Sequence, residues 1–177
     1  MRRLTSVPSL RALALAFSLI GVLAPPVTAQ EAATPTTDDA AAMHAAFAQA
    51  VQANDVDAFA ALFAPQGILV TPFGIFHGPE AIGGFFAQLI ENNPGLAQTV
   101  NEPTVTHTTA VSRDLVTAET FRAAGAERVV IIHTLVVANG QIAVLTAIPD
   151  PEDPVTTQVF AAMAAAAATP AMATPAS

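Results

Sequence analysis

From Asp39 to Ile90 the apolar residues recur mostly every three or four positions, and from Leu96 to Ile148 they recur every second position. The first spacing lines one face of a helix and the second one face of a strand, so the chain predicts helices followed by a sheet. Asp38 or Asp39 can cap a first helix that runs to about Ala53, with Met43, Phe47, Ala50 and Val51 as its buried stripe. His44 falls beside that stripe, at a solvated or edge position. Asn54-Asp55 ends this helix and caps a second, Val56 to Phe63. Pro65-Gln66-Gly67 predicts a turn, Ile68 to Thr71 a short β-branched strand stopped by Pro72, and Phe73 to His77 a brief irregular or extended link. Gly78-Pro79-Glu80 opens a third helix, with proline where no N–H partner is needed and an acid where the helix dipole favours it. Ile82, Phe85, Phe86, Leu89 and Ile90 form its apolar face, and Gly83-Gly84 leaves room for close packing or for a ligand.

Four strands are expected next, at Thr99 to Thr109, Asp114 to Ala123, Arg128 to Ala138 and Gln141 to Pro149. Asn139-Gly140 is a strong hairpin signal, because both residues tolerate positive φ, and Ala124-Gly125 predicts the turn before it. Helices followed by a run of antiparallel strands argue for an α+β fold, a cone of three N-terminal helices packed on a curved antiparallel sheet. The strand through His133 is apolar on both faces, with Ile131, His133, Leu135 and Val137 on one and Val130, Ile132, Thr134 and Val136 on the other. A sheet with one wet face should alternate, so a homodimer through the outer sheet face is expected.

The ends differ from this middle. Arg2, Arg3 and Arg11, the apolar run Ala12 to Ala24 and the small residues Val27-Thr28-Ala29 predict a signal peptide over 1–29, cleaved near Ala29, and a secreted or extracytoplasmic mature protein. Residues 30–37 are a flexible lead and 38–150 the folded domain. Residues 151–177 form an Ala/Pro-rich tail, disordered or a marginal helix outside it. Cleavage leaves three arginines against fourteen acids, a net charge of −11, with no lysine. Such a chain is a poor ligand for phosphate backbones or anionic lipid, so neither nucleic acid nor, in the mature form, membrane is an expected partner. The absence of cysteine excludes disulfides and thiolate chemistry. His44, His77, His107 and His133 lack paired ligand spacing, so no metal is expected, and no nucleotide-binding or serine-nucleophile motif is present.

Asp55 to Phe63, the strand Gly67 to Thr71 and Gly78-Pro79-Glu80-Ala81-Ile82 together resemble the nuclear transport factor 2-like superfamily, in its SnoaL-like and ketosteroid-isomerase-like branches. The resemblance covers about Asp39 to Asp150. It implies a pocket between helices and sheet, and a choice among isomerases, cyclases, dehydratases, hydrolases and binding modules. The isomerases' tyrosine falls on Phe47 and their first carboxylate on Thr71, neither of which can do that chemistry; the third position falls on His133 or Thr134. An acid-base pair of His133 with Glu119, cofactor-free, is the catalytic alternative. The favoured reading is a small-molecule-binding domain whose pocket is walled by Phe47, Phe63, Phe73, Phe86 and Leu89, with Thr71 inside and His77 at the mouth. A domain that only mediates association, its pocket filled by side chains, is the third reading.

Overall fold

The computed structural model describes residues 37–168. The expected signal peptide and most of the expected lead therefore lie outside the described residues, as does the end of the tail. Three helices come first, α1 (Thr37–Gln52), α2 (Val56–Ala61) and α3 (Gly78–Asn92). Between α2 and α3 run β1 (Phe63–Thr71) and β2 (Gly74–His77); β3 (Ala97–Thr99), β4 (Thr104–Thr106) and β5 (Thr109–Thr117) follow. A short helix α4 (Glu119–Ala123) precedes β6 (Val129–Ala138) and β7 (Gln141–Pro149), and α5 (Pro154–Ala168) closes the described chain.

The strands form one sheet in the order β2-β1-β7-β6-β5-β3, with β4 also pairing with β5. All neighbours are antiparallel except β1 and β7, which run parallel. The helices fill the concave face, where Phe47, Phe59, Phe63, Ile82 and Phe86 meet Leu69, Leu135, Ile142 and Leu145 in the main core. The Asn139-Gly140 hairpin forms as expected, with φ of 53° and 72°. Asp55 caps α2 by accepting a hydrogen bond from the Ala58 amide at 2.9 Å.

Several boundaries differ from the pattern-based expectation. Phe63 opens β1 rather than closing α2, because it pairs with Ile142 while the Ile142 amide donates to Leu62 at 2.8 Å. Pro65-Gln66-Gly67 is an irregularity within that strand, not a free turn. A Cβ on Gly67 would lie 2.9 Å from the carbonyl oxygens of both Ala64 and Ile142, so only glycine lets the chain pass there. Of the link expected over Phe73 to His77, Gly74 to His77 is extended and pairs back on β1 as a hairpin. The strand expected over Thr99 to Thr109 is broken after Thr99 and again after Thr106, and the strand expected over Asp114 to Ala123 starts at Thr109, stops at Thr117 and gives way to α4. Gly83 packs closely, since an added Cβ would sit 3.1 Å from that of Ala60.

The helix expected as one alternative for the tail forms over Pro154–Ala168, but it docks on the sheet instead of standing outside the domain: Val159 is 3 % exposed and packs with Val116, Phe121 and Val129. Alanine-rich composition hid this, because the apolar part of the contact rests on Val159, Phe160 and Met163.

Candidate functional site

A cavity of about 570 Å³ lies on the concave side of the sheet, within the range of small-molecule sites. Its walls are mostly apolar and include six phenylalanines, Phe73, Phe76, Phe85, Phe86, Phe121 and Phe160. Polar groups come from Gln98 and His133 on the sheet, Asn92 and Asn93 at the end of α3, and Thr71 and Thr120.

His133 is the chemical centre. The alternation of β6 turns it to the concave face with Leu135 and Val137, and it is 6 % exposed. The neighbouring strand β5 presents Ser112 and Asp114 on the same face, with Ser112 directly opposite His133. Asp114 Oδ2 lies 2.8 Å from His133 Nδ1 and 3.0 Å from Ser112 Oγ, and Asp114 Oδ1 accepts from the Asn101 amide at 3.0 Å. Gln98 Nε2 reaches the same Oδ2 at 3.4 Å.

Asp114 is fully buried. Burial alone would raise its pKa, but the hydrogen bond and charge of His133, with the Asn101 amide and the Ser112 hydroxyl, outweigh burial and hold it below the ordinary carboxylate value. An ionised carboxylate only accepts, so Nδ1 of His133 carries a proton toward it, and in the neutral form of the ring the lone pair is then on Nε2. The 3.5 Å approach of Gln98 to Nδ1 is the weaker contact and does not alter this. The side-chain hydrogen bonds of His133 to other described residues run through Nδ1, and the residue lines the cavity. This arrangement is a base oriented by a buried carboxylate, able to accept a proton from a bound molecule.

Behind this pair sits His44, which is 4 % exposed rather than solvated or at an edge. Burial depresses its pKa; Asp114 and Glu102 pull it up and His133 pushes it down. Its Nε2 is buried without a hydrogen-bond partner.

The expected site residues divide. Thr71, Phe73, Phe86, Leu89 and His133 do line the cavity. Phe47 and Phe63 do not: each is 1 % exposed in the core, with Phe47 backing the His133 ring at 5.1 Å between centroids. Thr71 is tied up locally, donating to the Gly74 carbonyl at 3.3 Å and accepting from the Phe73 amide at 3.1 Å. His77 is exposed at the start of α3 and does not line the cavity. Glu119 is not the partner of His133. It opens α4, is exposed, and lies against Gly95, because β5 ends before it and the chain turns away. The carboxylate that sequence reasoning missed is Asp114, whose signal was a charge on the face shared with Ala110, Ser112 and Val116. Phe160 and Met163 were missed because they stand in the tail. Among the described residues no cluster of three or more His, Asp or Glu side chains could hold a metal ion, and no helix is long and apolar enough to cross a membrane.

Helices cupped in a curved, unclosed sheet, with an apolar cavity between them, define a protein of the nuclear transport factor 2-like class. Within it the chain belongs to the SnoaL-like domain family, whose model matches residues 24–145. Similar solved structures include a candidate polyketide cyclase from Sinorhizobium meliloti, 21% identical, covering 63% of this chain and 97% of that one, with a TM-score of 0.55. A candidate ketosteroid isomerase from Kribbella flavida is 20% identical, covering 69% and 86%, with a TM-score of 0.57. An LEH-like epoxide hydrolase from M. tuberculosis is 14% identical, covering 75% and 96%, with a TM-score of 0.54. At these identities the likeness is one of fold. No curated protein matches the chain.

Proposed function

We propose that this SnoaL-like domain binds a small, largely apolar molecule in the aromatic cavity and hydrogen-bonds it through His133 Nε2. The observation that carries this reading is His133 in the wall of an apolar, phenylalanine-rich cavity, with Nδ1 held by Asp114 at 2.8 Å, which leaves Nε2 for a ligand. The ligand that fits has a flat apolar body and an O–H or acidic C–H group facing His133. An open cavity of about 570 Å³ speaks against the reading in which side chains fill the pocket. Native mass spectrometry of the protein from its own culture medium tests the proposal: a discrete added mass is expected, and a protein that neither retains nor takes up any apolar alcohol would contradict it.

A second reading, cofactor-free acid-base catalysis, is favoured by one observation. Asp114 both fixes the His133 tautomer and would stabilise the imidazolium formed when Nε2 takes a proton, which is what proton transfer in an isomerase, cyclase or dehydratase requires. The pair is then His133 with Asp114. His133→Gln should abolish turnover while leaving the fold intact.

We also infer a homodimer through the outer sheet face. Val111, Thr134 and Thr146 are aligned across three strands there, Ile132 pairs with Ile148 on one side and Arg113 on the other, and Val111 and Ile148 are 36% and 51% exposed. Export with cleavage near Ala29 completes the proposal, and N-terminal sequencing of the mature protein tests it.

A further inference from the structure

We propose that α5 is a wall of the ligand site and that Phe160 and Met163 set the size of molecule it admits, an inference that rests on the cavity being a binding site. The helix lies beyond residues 24–145, the portion matched by the family model. It therefore adds to the shared cone a surface that the cone does not supply.

Its position is built. Asp153 accepts from the Thr156 amide at 3.3 Å and from the Thr156 hydroxyl, capping the helix. The same hydroxyl, in a fully buried residue, accepts from the Val130 amide of β6 at 2.7 Å. Just upstream, Arg113 of β5 pairs with buried Asp150 and with Glu152 at 3.2 Å. The start of α5 is thus pinned to the sheet, which fixes where its next turns lie.

Those turns carry three apolar side chains larger than alanine after the cap. Val159 is buried against the sheet, whereas Phe160 and Met163 face the cavity with Ile131 and His133. The Phe160 ring lies 6.5 Å from Phe73 on the β1–β2 hairpin and 6.4 Å from Phe121 on α4. It bridges two sides of the cavity. After Met163 the helix continues in alanine to Ala168, with no other bulky group to occupy this space. Shortening Phe160 or Met163 enlarges the cavity without touching the Asp114–His133 pair.

The experiment compares binding of 2-naphthol and 1-hydroxypyrene, two flat alcohols of different size, to the wild type, Phe160→Ala and Met163→Ala by fluorescence titration. The ratio of their affinities should move toward 1-hydroxypyrene by about tenfold in Phe160→Ala and by less in Met163→Ala, the scale expected for apolar pocket contacts. Phe160→Leu should give an intermediate ratio and covers the case in which the alanine variant does not fold. Wild-type binding with an unchanged ratio in all folded variants overturns the role of α5 alone. Failure of the wild type to bind either alcohol overturns the site reading, and this inference with it.

Discussion

Asp114→Asn separates the charge of the buried carboxylate from its shape. In the wild type three short contacts converge on it, from His133 at 2.8 Å, Ser112 at 3.0 Å and the Asn101 amide at 3.0 Å. Hydrogen bonds to an ionised group are worth about 1.5–3 kcal/mol each. Asparagine's Oδ1 can keep the Asn101 amide, but its NH₂ then faces Ser112 Oγ and His133 Nδ1, both donors in the wild type. The hydroxyl can rotate; the imidazole must move its proton to Nε2. The net loss is about 2–3 kcal/mol, or about one charge-assisted bond, and at about 4 °C per kcal/mol this lowers Tm by about 8–12 °C. Thermal unfolding by circular dichroism at pH 7 measures the stability, and ¹⁵N imidazole spectra report the tautomer. A wild-type His133 protonated on Nδ1 and a variant protonated on Nε2 are expected. A Tm unchanged within about 2 °C, or a wild type already protonated on Nε2, would refute the reasoning.

Other perturbations test other parts of the account. His44 has a folded-state pKa below its usual 6.5, so the unfolded chain binds the extra proton first. Its contribution is therefore complete above pH 6.5 and declines as pH falls toward the folded pKa; His44→Leu should flatten stability against pH in that window, and an unchanged slope in denaturant melts counts against it. Asp114, with its pKa lowered, contributes stability above the ordinary carboxylate value that is lost as pH falls through the lower folded value. Thr156→Val removes the acceptor of the buried Val130 amide and should cost about 1–3 kcal/mol in chemical denaturation. Gly67→Ala forces a methyl against two carbonyl oxygens and should cost about 1–3 kcal/mol, or prevent expression of folded protein. Light scattering at micromolar concentration should give the mass of a dimer, and a monomer would remove the outer-face interface.

The fold was legible because its strongest signals are local. The i, i+4 stripe of Met43, Phe47 and Val51, the Gly78-Pro79 helix start and the Asn139-Gly140 turn each act through nearby atoms, and all appear where expected. His133 was legible for the same reason, since strand alternation alone turns it inward. Its partner was not. Finding Asp114 requires knowing that β5 ends at Thr117 and that Ser112 pairs with His133, a register set by contacts between strands rather than within them. Once the chain was read as one strand through Ala123, Glu119 took the place that Asp114 fills. Phe47 and Phe63 passed for cavity walls because an apolar stripe does not reveal which of its members face a void. Phe160 and Met163 were hidden by alanine-rich surroundings, where three apolar side chains and the hydrogen bond from the Val130 amide to Thr156 decide the docking.

The central claim is that a bound molecule meets His133 through Nε2. Titrating 2-naphthol into protein labelled with ¹⁵N at histidine, and following the imidazole resonances, tests it most directly. The account predicts a saturable shift of His133 Nε2, with its Nδ1 still protonated and the surface histidines His77 and His107 unmoved. A full titration that leaves His133 Nε2 unchanged, or that shifts only His77 or His107, would contradict it.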